Sequence, residues 1–357
     1  MLLHVAKPIP GAYEALKHLH DNDIPFILLT NGGGKHESER VKDLSAKLGI
    51  ELTVDNFVQS HTPFQELVNG ENGLGDKTVF ITGSDAQKCR EIAQTYGFKN
   101  VVIPGDILKA YPTMWPFDPL MRSVYESTAR PLPKPTHEGA TSDADSLKID
   151  AMFVFNDPRD WALDIQLIVD LLLSRDGYLG TYSARNGDRA LPNAGWQHDG
   201  QPPLFFSNQD LFWSTDYHQP RLAQGAFQAA LAGVWAKITG GHQLRRTVIG
   251  KPYHETYQYA ERVLMAHRAA QLHRRGHGAG AAPLRTVYMV GDNPESDIRG
   301  ANEFRSEHGT DWCSVLVRTG VWRAGRGDMV HEPRVIVDNV KAAVEWALKR
   351  EGQDASL

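Results

Sequence analysis

Four short polar stretches each lie where a predicted strand passes into a loop, and together they bring hydroxyl, amide, ammonium and carboxylate groups. They are Thr30-Asn31, Asn208 with Asp210, Lys251, and Asp292 with Asp297. In open α/β sheets, ligands bind outside the carboxyl ends of the strands. We therefore predict one ligand site that is built from residues far apart in the chain.

These groups match the requirements of phosphoryl transfer. A threonine hydroxyl and the loop amides behind it can hold phosphate oxygens. A lysine adds a compact positive charge, and an aspartate at a strand end is a hard oxygen ligand for Mg²⁺. Mg²⁺ screens a phosphate dianion and orients it for in-line attack.

The stretch from Thr30 to Lys35 reads TNGGGK and needs a separate interpretation. An ATP-binding loop is excluded, because Leu29 stands where its first glycine is required and His36 follows the lysine. A dinucleotide loop is excluded because Glu37 takes the position of its third glycine. A plain tight turn between a strand and a helix stays open.

Each polar residue also has an ordinary structural explanation. Asp292 follows a glycine and can belong to a turn, and Lys251 can be a solvated surface lysine. Thr30 and Asn31 can cap a helix, and Asp297 can be an acidic residue at a helix N-terminus. A calcium loop starting at Asp292 is excluded, because proline takes a ligand position and the required glycine is missing. The order of all four stretches at strand ends favours the common site.

Short apolar runs alternate with helical patterns along the chain. Strands are predicted at Phe26–Thr30, Thr78–Thr82, Val101–Ile103, Ala151–Phe155, Leu204–Ser207, Thr247–Ile249, Thr286–Val290, Cys313–Val317 and Val335–Val337. Apolar residues at helical spacing predict helices after Trp161 and after His254. This alternation predicts an α/β fold with a largely parallel sheet.

Three loop-like segments interrupt this pattern, at 127–146, 183–203 and 274–283. The first two lie in the middle third of the chain. We therefore predict a middle domain inserted into an outer one, whose pieces are 1–61 and 204–357.

Composition limits the class of protein. The net charge of -5 argues against binding to nucleic acid or to an anionic membrane. Two cysteines exclude a disulfide framework and suit a reducing compartment. No apolar run reaches the roughly 18 residues that span a bilayer, and no secretory or transit signal is readable. The oligomeric state is not predicted.

The motifs resemble the haloacid dehalogenase (HAD) superfamily of phosphohydrolases, subclass IIA, and within it the eukaryotic cat eye syndrome critical region type. The resemblance rests on KPIPGAYEAL, PFILLTNGGG, FNDPRDWALDIQLIVDLLLS, GAF, TVIGKPYHETYQYAE and VGDNPESDIRGAN, and it covers nearly the whole chain.

The resemblance implies roles for the polar residues. Thr30 and Asn31 would be the second HAD motif, which binds the transferring phosphate, with Gly32 beside them. Lys251 would be the third motif and would also contact phosphate. Asp292 would be the Mg²⁺ ligand of the fourth motif, with Asp297 as its supporting acid at the metal. Residues 62–203 would form an α/β cap of the C2 type over a Rossmann-like core.

The first HAD motif, Asp-x-Asp-Gly, is absent from residues 1–357. In the family its first aspartate is the nucleophile and its second is the general acid and base. We expect the chain to be a truncated form of a magnesium-dependent phosphatase, lacking the central strand as well as these aspartates. The alternative is a non-enzymatic relative that keeps the phosphate pocket for binding or as a scaffold.

The substrate is expected to be a small phosphorylated metabolite. Asn208 and Asp157 are candidate substrate contacts from the cap. An alternative for Asp157 is that it caps the following helix, with Pro158 at the first helical position. The resemblance also implies an intracellular, mitochondrial location and a link to glycerophospholipid metabolism.

Overall fold

The fold is seen in a computed structural model that describes residues 2–4, 7–213, 215, 217–276, 283–322 and 329–355. The strands are β1 (Leu3–His4), β2 (Lys7–Pro8), β3 (Leu28–Leu29), β4 (Phe57–Val58), β5 (Thr78–Thr82), β6 (Asn100–Val102), β7 (Ala151–Val154), β8 (Leu204–Phe206), β9 (Phe212–Trp213), β10 (Arg221–Leu222), β11 (Thr247–Val248), β12 (Thr286–Gly291), β13 (Asp311–Val317) and β14 (Val335–Val337). The helices are α1 (Ala12–Asp21), α2 (Glu37–Leu48), α3 (Ala86–Tyr96), α4 (Pro104–Ala110), α5 (Arg122–Thr128), α6 (Trp161–Leu173), α7 (Gln224–Thr239), α8 (His254–Arg274), α9 (Arg299–Glu303) and α10 (Val340–Arg350).

The α/β class and the predicted strands are confirmed. Each of the nine predicted runs contains a strand, with ends that differ by a few residues at most. The sequence pattern missed β4 and the two hairpins β1–β2 and β9–β10. These strands have two residues each, which is too short for an alternating pattern to be read. The third loop-like segment lies largely outside the described residues.

The largest sheet is parallel and has the order β11-β8-β7-β5-β6. Its central strands are buried; every residue of β7 is buried. Such burial explains why these strands read as continuous apolar runs rather than as alternating patterns. Helices α6 and α7 cover one face of this middle sheet with a core that includes Leu167, Phe227 and Trp235.

The pairing within this sheet bears on the predicted domain division, with a middle domain at 62–203. Strands β8 and β11 pair within the middle sheet, so a boundary at residues 203 and 204 would cut through it. We propose instead that the middle unit runs from about residue 62 to Val248, because hydrogen-bonded strands of one sheet share one core.

The outer part contains two smaller parallel sheets, β3-β4 and β12-β13-β14. Among the described strands, none pairs with the second edge of β3 or with that of β12. Leu28 and Val290 nevertheless pack against the same apolar cluster, together with α1, α2 and α10. Among the described strands, β1 pairs only with β2 and is part of neither sheet.

Among the described residues, no helix is both long enough and apolar enough to cross a bilayer.

The segment 127–146 is expected to be the first site of limited proteolysis. After the last two residues of α5 it contains two short 3-10 turns and no strand, and most of its side chains are exposed. Trypsin is a poor probe, because Arg130 and Lys134 each precede proline. Endoproteinase Glu-C should cut first after the exposed Glu138. If this segment resists cleavage as long as the middle sheet does, the proposal of a separate middle unit needs revision.

Candidate active site

Asn31 lies at the centre of the site and joins three parts of the chain. Its Oδ1 accepts the N–H of Lys251 at 2.8 Å, and its Nδ2 donates to the Lys251 carbonyl at 3.0 Å. The same Nδ2 lies 3.1 Å from both carboxylate oxygens of Asp210. Asn208 Nδ2 donates to the Asn31 carbonyl at 3.4 Å. The loops after β3, β8 and β11 therefore meet, as predicted from their positions at strand ends.

Lys251 is buried and bridges the two outer sheets. Its Nζ donates to Asp297 Oδ1 at 2.6 Å and to the carbonyl of Leu29, the last residue of β3, at 3.2 Å. Burial alone would lower the pKa of Lys251, but the Asp297 carboxylate outweighs it and holds this pKa above its ordinary value. The side chain is therefore an ammonium, with its charge at the strand ends, and is not the solvated surface lysine of the alternative interpretation.

Asp297 uses both carboxylate oxygens within the protein. Oδ1 accepts from Lys251, and Oδ2 accepts the N–H groups of Asp292 at 2.9 Å and Asn293 at 3.0 Å. This geometry supports the role of a supporting acid that orients Lys251 and the loop after β12. Direct ligation of a metal by Asp297 stays a prediction.

Asp292 follows β12 directly, and its Oδ2 accepts the N–H of Val321 at 2.8 Å. Gly320 lies so close that a Cβ there would stand 2.1 Å from Asp292 Oδ2. The described residues contain no group of three or more His, Cys, Asp or Glu side chains placed to hold a metal ion. A single carboxylate nevertheless suits Mg²⁺, which typically combines one or two carboxylates with water and substrate phosphate. Asp292 could therefore serve as a protein ligand of Mg²⁺, and this assignment stays a prediction.

The glycine loop bends tightly past two neighbours. Thr30 Oγ1 accepts the N–H of Gly32 at 3.0 Å. A Cβ on Gly33 would lie 2.7 Å from the His61 ring, and one on Gly34 would lie 2.1 Å from the Asn156 amide. Gly34 also has φ +86°, which favours glycine. These positions need glycine for close packing, and the Gly34 amide donates to His61 Nε2.

The ends of the middle strands supply carboxylates beside this loop. Burial raises the pKa of Asp210 to about 6, although the Lys251 ammonium acts in the opposite direction. Burial also raises the pKa of Asp157, and the Asp157 charge contributes to the raised pKa of Asp210. Asp157 therefore lies within electrostatic reach of the site, and its contact with substrate stays a prediction.

The alternative role of Asp157 as a helix cap is wrong. Helix α6 begins at Trp161, and its cap is Asp160, whose side chain accepts the N–H of Leu163. The Asn-Asp-Pro sequence suggested a helix start three residues too early.

Sequence reasoning placed Asp210 in the right stretch but assigned it no role. It also missed His61, which contacts the glycine loop. Neither residue belongs to a recognisable motif, and only the distance between separate loops identifies them.

The Asp210→Asn variant should change how stability depends on pH. The pKa of Asp210 rises from 3.8 to about 6 on folding, so its contribution to stability is complete below pH 3.8 and is lost as the pH rises through about 6. From pH 4 to pH 7, the unfolding free energy of the wild type should fall by about 2–3 kcal/mol relative to that of the variant. The asparagine side-chain oxygen can still accept from Asn31 Nδ2, so the variant removes the titrating carboxyl group but keeps this hydrogen bond. Urea unfolding at both pH values measures the difference, and parallel pH profiles would contradict the assignment.

Comparisons with known proteins agree with this geometry. A family model described as haloacid dehalogenase-like hydrolase matches residues 1–99, and a second, described as HAD-hydrolase-like, matches residues 248–343. The first match contains the glycine loop, and the second contains the lysine and both acidic residues of the site.

Two curated relatives match along nearly the whole chain. A cardiolipin synthase (CMP-forming) / mitochondrial hydrolase fusion protein of Schizosaccharomyces pombe is 37% identical over all of this chain, which spans 53% of that protein. A mitochondrial hydrolase of Saccharomyces cerevisiae is 36% identical over 98% of this chain and 93% of its own length.

Solved structures share the fold at low identity. The p-nitrophenyl phosphatase of Archaeoglobus fulgidus has a TM-score of 0.56 at 17% identity, covering 96% of this chain and 93% of its own. A glycerol phosphate phosphatase of Mycobacterium tuberculosis, in complex with calcium, has a TM-score of 0.53 at 18% identity, covering 96% and 71%. The matches to the family models, the yeast relatives and these folds lead to one conclusion: the chain belongs to the haloacid dehalogenase-like hydrolases.

Proposed function

We propose that residues 1–357 form the phosphate-binding and magnesium-binding part of a phosphohydrolase of HAD subclass IIA, of the cat eye syndrome critical region type. The observation that carries this proposal is the position of Lys251 Nζ, between the Leu29 carbonyl and the Asp297 carboxylate. A buried ammonium at the carboxyl ends of two parallel strands is well placed to neutralise a phosphate group.

Each neighbouring residue has a proposed part in binding. The Thr30 hydroxyl and the amides from Asn31 to Gly33 would hold phosphate oxygens. Asp292 would hold Mg²⁺, while Asp297 keeps Lys251 and the Asp292 loop in place. When bound, Mg²⁺ supplies charge screening and in-line orientation of the phosphate.

The substrate is proposed to be a small phosphorylated metabolite. Asn208 and Asp157, at the ends of middle strands, would contact its leaving group. The names of the relatives support a mitochondrial protein linked to glycerophospholipids: one hydrolase is fused to cardiolipin synthase, and both relatives are called mitochondrial. The fold shared with a glycerol phosphate phosphatase is consistent with this substrate class.

The 357 residues contain no Asp-x-Asp-Gly sequence. We therefore propose that this polypeptide binds phosphate and Mg²⁺ without hydrolysing phosphate esters, because no motif aspartate is present to accept the phosphoryl group. The second candidate function, a phosphate-binding or scaffold protein, also predicts that residues 1–357 do not hydrolyse phosphate esters. The intact lysine and metal-site acids favour the phosphohydrolase.

Isothermal titration of the 357-residue chain with inorganic phosphate, with and without Mg²⁺, tests the proposal. We expect phosphate binding that is stronger when Mg²⁺ is present. p-Nitrophenyl phosphate provides a parallel assay, in which we expect no turnover. Absence of phosphate binding would overturn the proposed site, whereas Mg²⁺-dependent turnover would show that another residue acts as the nucleophile.

A further inference from the structure

His61 is a completely buried histidine to which the proposed function gives no part. It precedes a 3-10 turn, Thr62–Leu67, and its ring stacks on Phe155 at a centroid distance of 5.4 Å. Its Nε2 accepts the N–H of Gly34 at 3.2 Å. The ring therefore contacts the glycine loop from the side of the middle sheet.

The other ring nitrogen belongs to a short hydrogen-bonded chain. His61 Nδ1 lies 2.8 Å from the Tyr96 hydroxyl, and this hydroxyl donates to Glu37 Oε1. Thr62 Oγ1 also donates to Glu37 Oε1, at 2.7 Å. Because Nε2 must accept from Gly34, the ring proton belongs on Nδ1, from where it is donated to Tyr96.

The surroundings keep the His61 ring and the Tyr96 hydroxyl uncharged. Burial lowers the pKa of His61 to about 4; the charge of Glu37 acts against this shift, and that of His36 acts with it. Burial and Glu37 together raise the pKa of Tyr96 well above its ordinary value, so its hydroxyl stays protonated and can donate. At neutral pH the ring is therefore an uncharged acceptor for the loop.

The chain of contacts joins three separate elements. Glu37 begins α2, directly after the glycine loop, whereas Tyr96 ends α3 beside the middle sheet. Gly33 also packs closely against the ring, since a Cβ at this position would lie 2.7 Å from His61 Cδ2. A small movement of the ring would therefore change the path of the loop.

We propose that His61 is a positioning residue, whose neutral Nε2 holds the Gly34 amide and so sets the shape of the phosphate-binding loop, while Tyr96 and Glu37 fix its tautomer. This inference rests on the proposed phosphate site and adds a residue to it. The residue acts through the loop and needs no contact with substrate.

Two substitutions separate positioning from packing. His61→Phe keeps an aromatic ring against Phe155 but removes the acceptor for Gly34. His61→Gln gives up the ring but places an amide oxygen near the position of Nε2. For inorganic phosphate with Mg²⁺, His61→Phe should bind about tenfold more weakly than wild type, and His61→Gln should stay within about threefold. Melting temperatures of both variants are measured in parallel.

If His61 serves packing alone, His61→Gln should lower the melting temperature more than His61→Phe does, and His61→Phe should leave phosphate affinity unchanged. That result would overturn the inference but not the proposed phosphate site. If wild type binds no phosphate, the proposed function fails, and this inference fails with it. If His61→Phe does not fold, the affinity of His61→Gln decides: a loss of tenfold or more would contradict the inference.

The tautomer gives a readout that does not depend on phosphate. In protein labelled with ¹⁵N-histidine, long-range ¹H–¹⁵N spectra at pH 6 should show a neutral His61 ring protonated at Nδ1, identified by its loss in His61→Gln. Tyr96→Phe should shift this signal toward a mixture of tautomers and weaken phosphate binding. A charged ring, or one protonated at Nε2, would overturn the proposal.

Discussion

The Lys251→Met variant is expected to lose phosphate binding and to unfold more readily than wild type. The ammonium contributes the positive charge of the proposed site, and a charge-assisted hydrogen bond adds about 1.5–3 kcal/mol, equivalent to roughly 10- to 100-fold in affinity. In the wild type, Lys251 Nζ lies 2.6 Å from Asp297 Oδ1, so the change also leaves the buried Asp297 carboxylate without its positively charged partner. Breaking a buried ion pair from one side typically costs about 3–5 kcal/mol.

A double variant separates these two effects. In Lys251→Met with Asp297→Asn, neither charge remains, so much of the stability should return. The asparagine oxygen can still accept the N–H groups of Asp292 and Asn293, which Asp297 accepts in the wild type. Phosphate binding should stay absent, because no ammonium is restored. Titration calorimetry and urea unfolding measure the two quantities, and wild-type affinity in a folded Lys251→Met variant would exclude the lysine from the site.

The Asp292→Asn variant is expected to lose the effect of Mg²⁺ on phosphate binding while its fold persists. Asparagine is nearly isosteric, and its oxygen can still accept the Val321 N–H. A neutral amide is a much poorer ligand for Mg²⁺ than a carboxylate. In a protein that also carries the nucleophilic aspartate, the same change should lower kcat by orders of magnitude.

The metal-free measurement is the internal control for this variant. Without Mg²⁺, Asp292→Asn should bind phosphate at least as well as wild type, because one negative charge next to the anion has been removed. Asp311→Asn provides a matched control elsewhere: this aspartate begins β13, at the opposite end of the sheet, and its side chain is exposed. An undiminished Mg²⁺ effect in Asp292→Asn would defeat the metal assignment.

The two variants also bear on the second candidate function. A scaffold that only retains a phosphate pocket needs Lys251 but has no need of a working metal ligand. Dependence of phosphate affinity on both Lys251 and Asp292 would favour the phosphohydrolase, whereas dependence on Lys251 alone would favour a binding protein.

The strands and the polar residues that follow them were predictable from the sequence. Short apolar runs at Thr78–Thr82 and Val335–Val337 became strands with these bounds. For Thr78–Thr82, which is buried at every residue but the first, local composition suffices, because a strand buried on both faces must be apolar along its whole length. The placement of Lys251 and Asp292 directly after strands was readable for the same reason.

The connections between these positions were decided only by the tertiary structure. Asn31 and Lys251 are 220 residues apart in the chain, yet their hydrogen bonds define the site. The pairing of β8 with β7, on which the proposed domain division rests, is likewise not visible in either strand alone. The role inferred for His61 depends on burial and on two partners from distant helices. The residue pattern of one segment indicates which of its side chains can be buried. It does not indicate which distant segment packs beside it, and that packing decides the hydrogen-bond partner of a buried polar atom.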